Sequence, residues 1–221
     1  MKPIILLSLL LLFRSVSVAQ VTGFEIDDSK LNKPLVRMLD TIYKDDQETR
    51  LKVFNFKAGS AQTDSLWKII TRLDAKNLAK VNNTVAKYGW PSPQMIGFNG
   101  SFTMFLVIQH ADLATQEKYL PIIRKAEKDG IILSSNLAIL EDRVAMREGK
   151  RQLYGSQVTT NKLTGTKYLY PIIDPDHVDE RRKSMGLPPM DDYAKLMKIT
   201  WDLDAYKKAL PELEKIAKVK Q

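Results

Sequence analysis

The sequence contains no cysteine among its 221 residues. This absence excludes disulfide bonds, thiol catalysis and thiolate metal sites. A secreted protein without disulfides depends on its hydrophobic core alone, which suits a bacterial periplasm or outer surface better than a small eukaryotic secreted scaffold. The chain is long enough to form one domain with a sizeable core.

Long hydrophobic runs are also missing. The most apolar segment, Ile4–Phe13, is shorter than the roughly 20 residues that span a bilayer. It follows Lys2 and precedes the small residues Ser17 and Ala19, which is the pattern of a secretory signal peptide. We therefore predict that residues 1–19 are a signal peptide cleaved after Ala19, and that the chain is exported to a bacterial periplasm or the extracellular space. An uncleaved membrane anchor is the alternative, but the mature chain is predicted to have no transmembrane segment.

Basic residues outnumber acidic ones and give a formal net charge of +8. Removal of residues 1–19 would take away Lys2 and Arg14 and lower that charge to +6. The remaining charges alternate in sign, as in "EDRVAMREGKR", which is typical of a solvated surface. No basic stretch is interleaved with aromatic residues, so no nucleic-acid partner is predicted. Weak attraction to anionic surfaces stays open.

Several catalytic and cofactor motifs are absent as well. The sequence has no G-x-S-x-G elbow, no phosphate-binding loop and no Rossmann glycine pattern. A zinc site needs about three protein ligands, whereas His110 and Asp112 supply two and no H-E-x-x-H is present. No metal and no cofactor are therefore predicted.

Apolar residues recur at helical spacing through most of the chain, for example at Leu35, Leu39 and Ile42. This pattern predicts a mainly α fold, a single-domain helical bundle. We expect residues 20–30 to be a flexible lead-in and residues 31–221 to form the single helical domain. In the C-terminal third, "RQLYGSQVTT" and "TKYLYPII" are rich in β-branched and aromatic residues, which predicts a small β-hairpin.

The segment Ile96–His110 is apolar nearly all round, which predicts a central helix enclosed by others. Asp112 follows it and is expected to cap the next helix. Two further caps are predicted: Asp74, within a region read as two helices or one bent helix, and Asp174, before a proline.

Polar side chains occur at positions where the apolar pattern predicts a core. Asp46 and Arg50 are four residues apart and can form a helical ion pair, either exposed or partly buried. Gln152 and Gln157 are five apart, so they point to opposite faces of a strand unless a bulge at Gly155 resets the alternation. The other positions of this kind are Gln109, His110, Asp142, Arg143 and Tyr154.

An ordered series of sequence blocks resembles an uncharacterised family of bacterial proteins, a domain of unknown function. The blocks are "DDQETR", "GWPSPQMIG", "QHAD", "LEDRV", "GKRQLYGSQ" and "IIDPDHVDERRKSMGLPPMDDY", and the resemblance covers roughly residues 38–193. It implies a mainly helical fold and a shared polar cluster, and it brings no known activity. It adds weight to the polar positions above.

We therefore predict a polar pocket that binds or hydrolyses a small polar or anionic ligand. His110, Asp142 and Arg143 are the candidate catalytic residues, with His110 as general base because imidazole titrates near neutral pH. Asp112 or Asp142 could orient it. The candidate ligand-binding residues are Asp46, Arg50, Gln109, Gln152, Tyr154 and Gln157. The alternative is a non-catalytic interaction protein of the cell envelope, whose polar cluster is only a structural network.

Overall fold

The computed structural model describes residues 20–161 and 164–218, so the predicted signal peptide, residues 1–19, lies outside the described residues. The described residues form eight α-helices and one antiparallel pair of strands. In chain order these are α1 (Lys33–Val53), α2 (Ala61–Tyr88), α3 (Pro93–His110), α4 (Leu113–Lys128), α5 (Ser134–Arg147), β1 (Val158–Thr160), β2 (Lys167–Leu169), α6 (Val178–Ser184), α7 (Met190–Met197) and α8 (Leu203–Lys218). The prediction of a mainly α fold with a small hairpin in the C-terminal third is confirmed.

Helix α3 is the centre of the larger hydrophobic core, as its all-round apolar pattern predicts. Ile96, Met104 and Ile108 have no exposed surface, and α3 contacts α1, α2, α4 and α5. These neighbours enclose most of α3, so its buried polar side chains need hydrogen-bond partners. Thr103, for example, donates to the carbonyl oxygen of Asn99 within the same helix at 2.7 Å. None of the helices in the described part of the chain has both the length and the apolar character needed to cross a membrane.

Three helices begin at a side-chain cap. Asn32, Ser60 and Asp112 each accept a hydrogen bond from the backbone N–H of the third residue of α1, α2 and α4. Each cap satisfies one of the N–H groups that a helix N-terminus leaves without an intrahelical partner. The prediction that Asp112 is a cap is confirmed.

The predicted cap at Asp74 is wrong. Helix α2 runs without a break over 28 residues, so Asp74 lies in its interior, where the backbone amides are already bonded within the helix. Its carboxylate instead accepts hydrogen bonds from Nη2 of Arg50, at 2.9 and 2.8 Å to the two oxygens. In the sequence, a polar residue in the middle of an amphipathic helix has the same pattern as a helix start.

Asp174 does take the predicted N-cap position, with Pro175 as the first residue of a short 3-10 helix, Pro175–His177, but it does not cap that helix through its side chain. The backbone of Asp174 is left-handed, with a φ of 43°, and its side chain makes no cap hydrogen bond. The carboxylate instead lies 2.8 Å from Nδ1 of the exposed His177.

The hairpin is shorter than its β-rich sequence suggests. Strand β1 pairs with β2 in antiparallel register, Thr159 opposite Tyr168, and the ladder covers three residues on each side. Residues 153–156 are not strand, because Asp142 of α5 binds their backbone amides. A second, smaller hydrophobic core lies beneath this region and consists of Leu169, Ile172, Val178, Met190 and Tyr206.

The predicted lead-in, residues 20–30, is hydrogen-bonded to the bundle at two points. Val21 and Ser134, at the start of α5, exchange hydrogen bonds through N–H, carbonyl and hydroxyl groups. Asp27 N donates to the side chain of Gln94 in α3 at 3.1 Å. These contacts lay the segment along α3 and α5, whereas its flexibility stays a prediction.

Gly155 marks a close approach of the 153–156 loop to the smaller core. Its φ is +67°, and a Cβ built there would lie 2.9 Å from Cδ1 of Ile172 and 3.0 Å from Sδ of Met190. Gly130 has a similar φ of +74° but nothing within 4 Å of its Cβ position.

We predict that Gly155→Ala lowers the free energy of unfolding by about 2–4 kcal/mol, since backbone strain and overpacking add. Gly130→Ala should cost only about 1 kcal/mol, from the backbone term alone. Urea denaturation of both variants measures the difference. Equal losses would contradict the close packing around Gly155.

Candidate functional site

The C-terminal end of α3 is hydrogen-bonded to side chains of α4 and α5, and to a side chain of α1 described below. Gln116 of α4 donates from Nε2 to the carbonyl oxygen of Gln109 at 2.8 Å. Arg147 of α5 donates from Nη1 to the carbonyl oxygen of Ala111 at 2.5 Å. The last carbonyls of a helix have no intrahelical donor and carry partial negative charge, so cationic and amide donors stabilise this end.

Asp46 of α1 is the centre of a hydrogen-bonded network beside His110. It is buried, and its Oδ1 accepts from Nδ1 of His110 at 2.9 Å, while Oδ2 accepts from Nε2 of Gln47 at 2.6 Å. Because a carboxylate is only an acceptor, this contact places a proton on Nδ1 of His110. Arg50 lies 3.4 Å from the same Oδ1 and also binds Asp74. The helical ion pair of Asp46 and Arg50 is therefore present and partly buried.

The charges around Asp46 decide its ionisation. Burial alone would raise the pKa of Asp46, but the hydrogen bond and charge of His110, together with Arg50 and Gln47, bring that pKa below its usual value. The carboxylate is thus ionised at neutral pH.

Neither Asp112 nor Asp142 orients His110. Asp112 is occupied as the cap of α4, where its Oδ1 accepts from Thr115 N at 2.7 Å, and Asp142 binds the 153–156 loop. Asp46 is the carboxylate that holds the imidazole. The sequence did contain the signal: Asp46 continues the buried stripe of α1 one turn after Ile42.

Asp142 of α5 is fully buried and organises the loop that leads into the hairpin. Its Oδ1 accepts from the N–H of Leu153 at 2.7 Å and of Tyr154 at 3.0 Å, and its Oδ2 accepts from the N–H of Ser156 at 2.9 Å. Burial raises the pKa of Asp142, and the amide hydrogen bonds act in the opposite direction. These partners all belong to residues 153–156, so the role of Asp142 in the structure is to shape this loop.

The two glutamines are on the same buried network. Gln152 accepts from Gln157 N at 2.8 Å through Oε1 and donates from Nε2 to the carbonyl oxygen of Tyr170 at 2.7 Å. Gln157 donates from Nε2 to Ser156 Oγ at 2.9 Å. The positive φ of Gly155 bends the chain between them, which allows both side chains to be buried.

Tyr154 follows Asp142 as part of the same loop. Its hydroxyl lies 3.3 Å from Oε2 of Glu141, and burial, with the nearby Glu141 and Asp142 charges, raises the pKa of Tyr154. The neutral phenol is therefore the stable form throughout the physiological range.

Arg143 has a different environment from every other buried charge in this region. With its amide oxygen turned toward Arg143, Gln109 accepts from Nε at 2.7 Å and from Nη2 at 3.2 Å. No carboxylate of the described residues forms an ion pair with Arg143. Burial and the nearby positive charge of Arg147 lower the pKa of Arg143 to about 10. The guanidinium stays charged at neutral pH, partly desolvated and without a counter-ion.

Arg143 lines a cleft of about 400 Å³ between α5, the 153–156 loop, α6 and α7. The other polar residues of the lining are Ser156, Gln157, Arg182 and Tyr193, and the apolar ones are Ile139, Val158, Leu187, Pro188, Leu196 and Met197.

Arg182 and Tyr193 are site residues outside the predicted set. Arg182 is fully buried, donates to the carbonyl oxygens of Pro188 and Tyr154 at 2.6 and 2.7 Å, and lies 4.7 Å from the centre of the Tyr193 ring. The hydroxyl of Tyr193 donates to the carbonyl oxygen of Ser156 at 2.5 Å. Both residues lie in the "DERRKSMGLPPMDDY" block. The many charged residues around Arg182 are typical of an exposed helix, so the sequence gives no sign that this arginine is buried.

Comparison with protein families matches residues 34–206 to a family of unknown function, DUF6624. The chain belongs to this family. No curated protein and no solved structure matches it.

The DUF6624 region contains all nine predicted site residues, which the structure separates into two neighbouring groups. Asp46, Arg50 and His110 form the first, between α1 and α3, with Asp74 added. Around the cleft and its loop lie Asp142, Arg143, Gln152, Tyr154 and Gln157. Gln109 links the groups, since it precedes His110 and binds Arg143. His110 does not line the cleft, and a catalytic role for any of these residues stays a prediction.

Metal ligation has no geometric support in the part of this DUF6624 chain that the structure describes. Within residues 20–161 and 164–218, no three histidine or acidic side chains come together as a metal would require.

We predict that Asp46→Asn lowers the free energy of unfolding at pH 7 by about 2–4 kcal/mol, because it removes the negative charge that Arg50 and His110 share and replaces one acceptor oxygen with an NH₂ donor. The folded pKa of Asp46 lies below its usual value. Its ionised form therefore stabilises the fold above about pH 4, and this contribution is lost as the pH falls through the folded pKa.

Urea denaturation at pH 7 and pH 3 measures the effect. The deficit of Asp46→Asn should shrink at pH 3, whereas Asp40→Asn, an exposed carboxylate on the same helix, should change little at either pH. A deficit that is as large at pH 3 would contradict the shared-carboxylate network.

Proposed function

We propose that this protein binds a small anionic ligand in the cleft beside Arg143. The observation that carries the proposal is a partly desolvated guanidinium without a carboxylate partner at the wall of an open cleft. Arg182, the other cation of the cleft wall, is buried against two backbone carbonyl oxygens and the Tyr193 ring. Arg143 has the neutral amide of Gln109 as its partner, so an anion that enters the cleft would supply its counter-charge.

The cost of burying charge supports this assignment. An ion taken out of water loses several kcal/mol of hydration, which only a counter-charge or strong hydrogen bonds offset. Gln109 gives Arg143 a neutral acceptor. This amide satisfies two N–H groups of the guanidinium but does not neutralise its positive charge. The nearby Arg147 adds to the positive potential. An anion in the cleft would therefore meet an attractive field in a medium that screens it less than water does.

The frame around Arg143 is rigid, which favours binding over a merely charged surface. Asp142 precedes Arg143 on α5 and fixes the 153–156 loop through three backbone amides. Tyr193 binds the same loop from α7. Opposite walls of the cleft are thus joined by hydrogen bonds before any ligand arrives, and such preorganisation lowers the entropic cost of binding.

The proposal is binding rather than hydrolysis. The Asp46–His110 pair has the geometry of an oriented base, with Nδ1 bound to the carboxylate, but His110 is not part of the cleft wall. The alternative of an envelope interaction protein with a purely structural network would leave Arg143 without an anionic partner, and the same experiment distinguishes the two.

We predict that sodium acetate and sodium phosphate stabilise the protein relative to sodium chloride at equal ionic strength. At a ligand concentration ten times the dissociation constant, the free energy of unfolding should rise by about 1.4 kcal/mol. Denaturation and the NMR signal of the Arg143 Nε–H group both report this binding.

Arg143→Gln should remove the stabilisation, because the amide keeps polarity and loses the charge. Arg72→Gln removes the same charge from an exposed position on α2 and should leave binding unchanged. Equal anion effects in wild type and Arg143→Gln would overturn the proposed function.

We also propose that the protein is exported and that cleavage follows Ala19. The support is the sequence of residues 1–19, with its basic start, short apolar core and small residues. Within the described residues, no helix is long and apolar enough to hold the remainder of the chain in a membrane.

When the full chain is expressed in a bacterium, we predict a periplasmic or secreted form that begins at Gln20, measured by N-terminal sequencing and intact mass. Ala19→Tyr should block cleavage, because the residue before the cut must be small, while Val18→Tyr should not. A full-length chain in the membrane fraction would support the anchor instead.

A further inference from the structure

We infer that the ligand of the cleft is a monocarboxylate attached to an apolar chain. This assignment rests on the proposed function, namely that an anion binds at Arg143, and it adds the chemical class of that anion. The head group follows from the donors that remain unused in the cleft, and the chain follows from the residues that surround them.

Three N–H groups of Arg143 are left for a ligand. Gln109 accepts from Nε and from one N–H of Nη2, so the second N–H of Nη2 and both N–H groups of Nη1 have no hydrogen-bond partner among the described residues. Donors on one edge of a singly charged guanidinium suit a carboxylate. A group of higher charge would need more than one such contact.

The second cation of the cleft is enclosed. Arg182 donates from Nε to Pro188 and from Nη1 to Tyr154, and the ring of Tyr193 lies over its guanidinium plane. The nearby Asp142 and Asp179 charges already act on it. Arg182 is thus held by two backbone carbonyl oxygens and an aromatic ring, whereas Arg143 offers the cleft free N–H donors and one positive charge, which matches a monocarboxylate better than a phosphate dianion.

On α5 and α7, two helices that line the cleft, apolar side chains lie one helical turn from a polar residue of the cleft wall. On α5, Ile139 is four residues before Arg143, and on α7, Leu196 and Met197 follow Tyr193 by three and four. Residues at this helical spacing are neighbours with about 5–6 Å between their Cβ atoms. A ligand bound through a carboxylate at Arg143 therefore meets apolar surface one turn away.

Leu196 is the clearest sign that this surface is unfilled. It is 73% exposed while it lines the cleft, and Val158, Leu187 and Pro188 complete the apolar wall. A single exposed leucine is ordinary on a protein surface. Here it adjoins a desolvated cation, and a chain of several methylene groups would cover both features together.

Two sources share this chemistry, a fatty acid and the C-terminus of a peptide that ends in an apolar residue. Both present a carboxylate next to an apolar group. The test uses sodium butyrate, sodium octanoate and sodium phosphate, 1-octanol as the uncharged chain, and acetyl-Ala-Ala-Leu with a free or an amidated C-terminus. Titration calorimetry on the full mature chain measures each dissociation constant, at concentrations where octanoate does not self-associate.

We expect octanoate to bind at least about tenfold more tightly than butyrate, since each buried methylene contributes about fourfold. Octanol and the amidated peptide should each bind at least about tenfold more weakly than their acid counterparts, because hydrogen bonds to charged groups are the stronger ones. Whichever acid binds more tightly, octanoate or the free peptide, identifies the source.

Two variants separate the head group from the chain. Arg143→Gln should weaken the binding of both octanoate and butyrate. Leu196→Ser should reduce the difference in affinity between octanoate and butyrate. Leu51→Ser, which changes another exposed leucine, on α1 and 61% exposed, should leave that difference in affinity as it is. Because both leucines are exposed, neither variant should prevent folding.

The outcomes distinguish the two levels of the assignment. If butyrate, octanoate and phosphate bind equally and all depend on Arg143, the cleft binds anions and the apolar-chain assignment is overturned. If no acid binds, or if octanol binds as well as octanoate, the proposed function is overturned as well.

Discussion

The Asp142 carboxylate is the interaction on which the C-terminal third of the structure depends. It accepts hydrogen bonds from the amides of Leu153, Tyr154 and Ser156, which holds residues 153–156 as a loop before β1 begins at Val158. Arg182 and Tyr193 then bind carbonyl groups of that same loop. One buried acid thus positions both walls of the cleft, at a cost in desolvation that the amide hydrogen bonds offset.

Charge compensation separates the two polar groups of this protein. Asp46 has Arg50 and His110 as partners, and Arg50 also has Asp74, so the network beside α1 is balanced internally. Among the described residues, Arg143 on α5 has only the neutral amide of Gln109 as a hydrogen-bond partner. A balanced network contributes to one defined packing, whereas an unbalanced cation favours whatever anion can reach it. The proposed ligand site follows from this difference, not from the number of polar residues.

Local patterns predicted the helices and the hairpin because helical periodicity, caps and β-branched runs act over a few residues. They did not predict which carboxylate meets His110, since Asp46 and His110 are 64 positions apart. Asp74 resembles a cap in the sequence, because a polar residue within a long helix looks like a helix start until its partner, Arg50, is known. The cleft was beyond sequence reasoning, because Arg182 and Tyr193 reach it only through tertiary packing.

The last two residues of α3 contact both polar groups of the protein. Gln109 and His110 are adjacent, yet they serve different groups, because successive residues on a helix point about 100° apart. His110 turns toward Asp46 on α1, and Gln109 turns toward Arg143 on α5. Nη1 of Arg143 has no hydrogen-bond partner among the residues that the structure describes. The amide thus keeps Arg143 in place without neutralising it, which is what a binding site needs and what a purely structural ion pair would prevent.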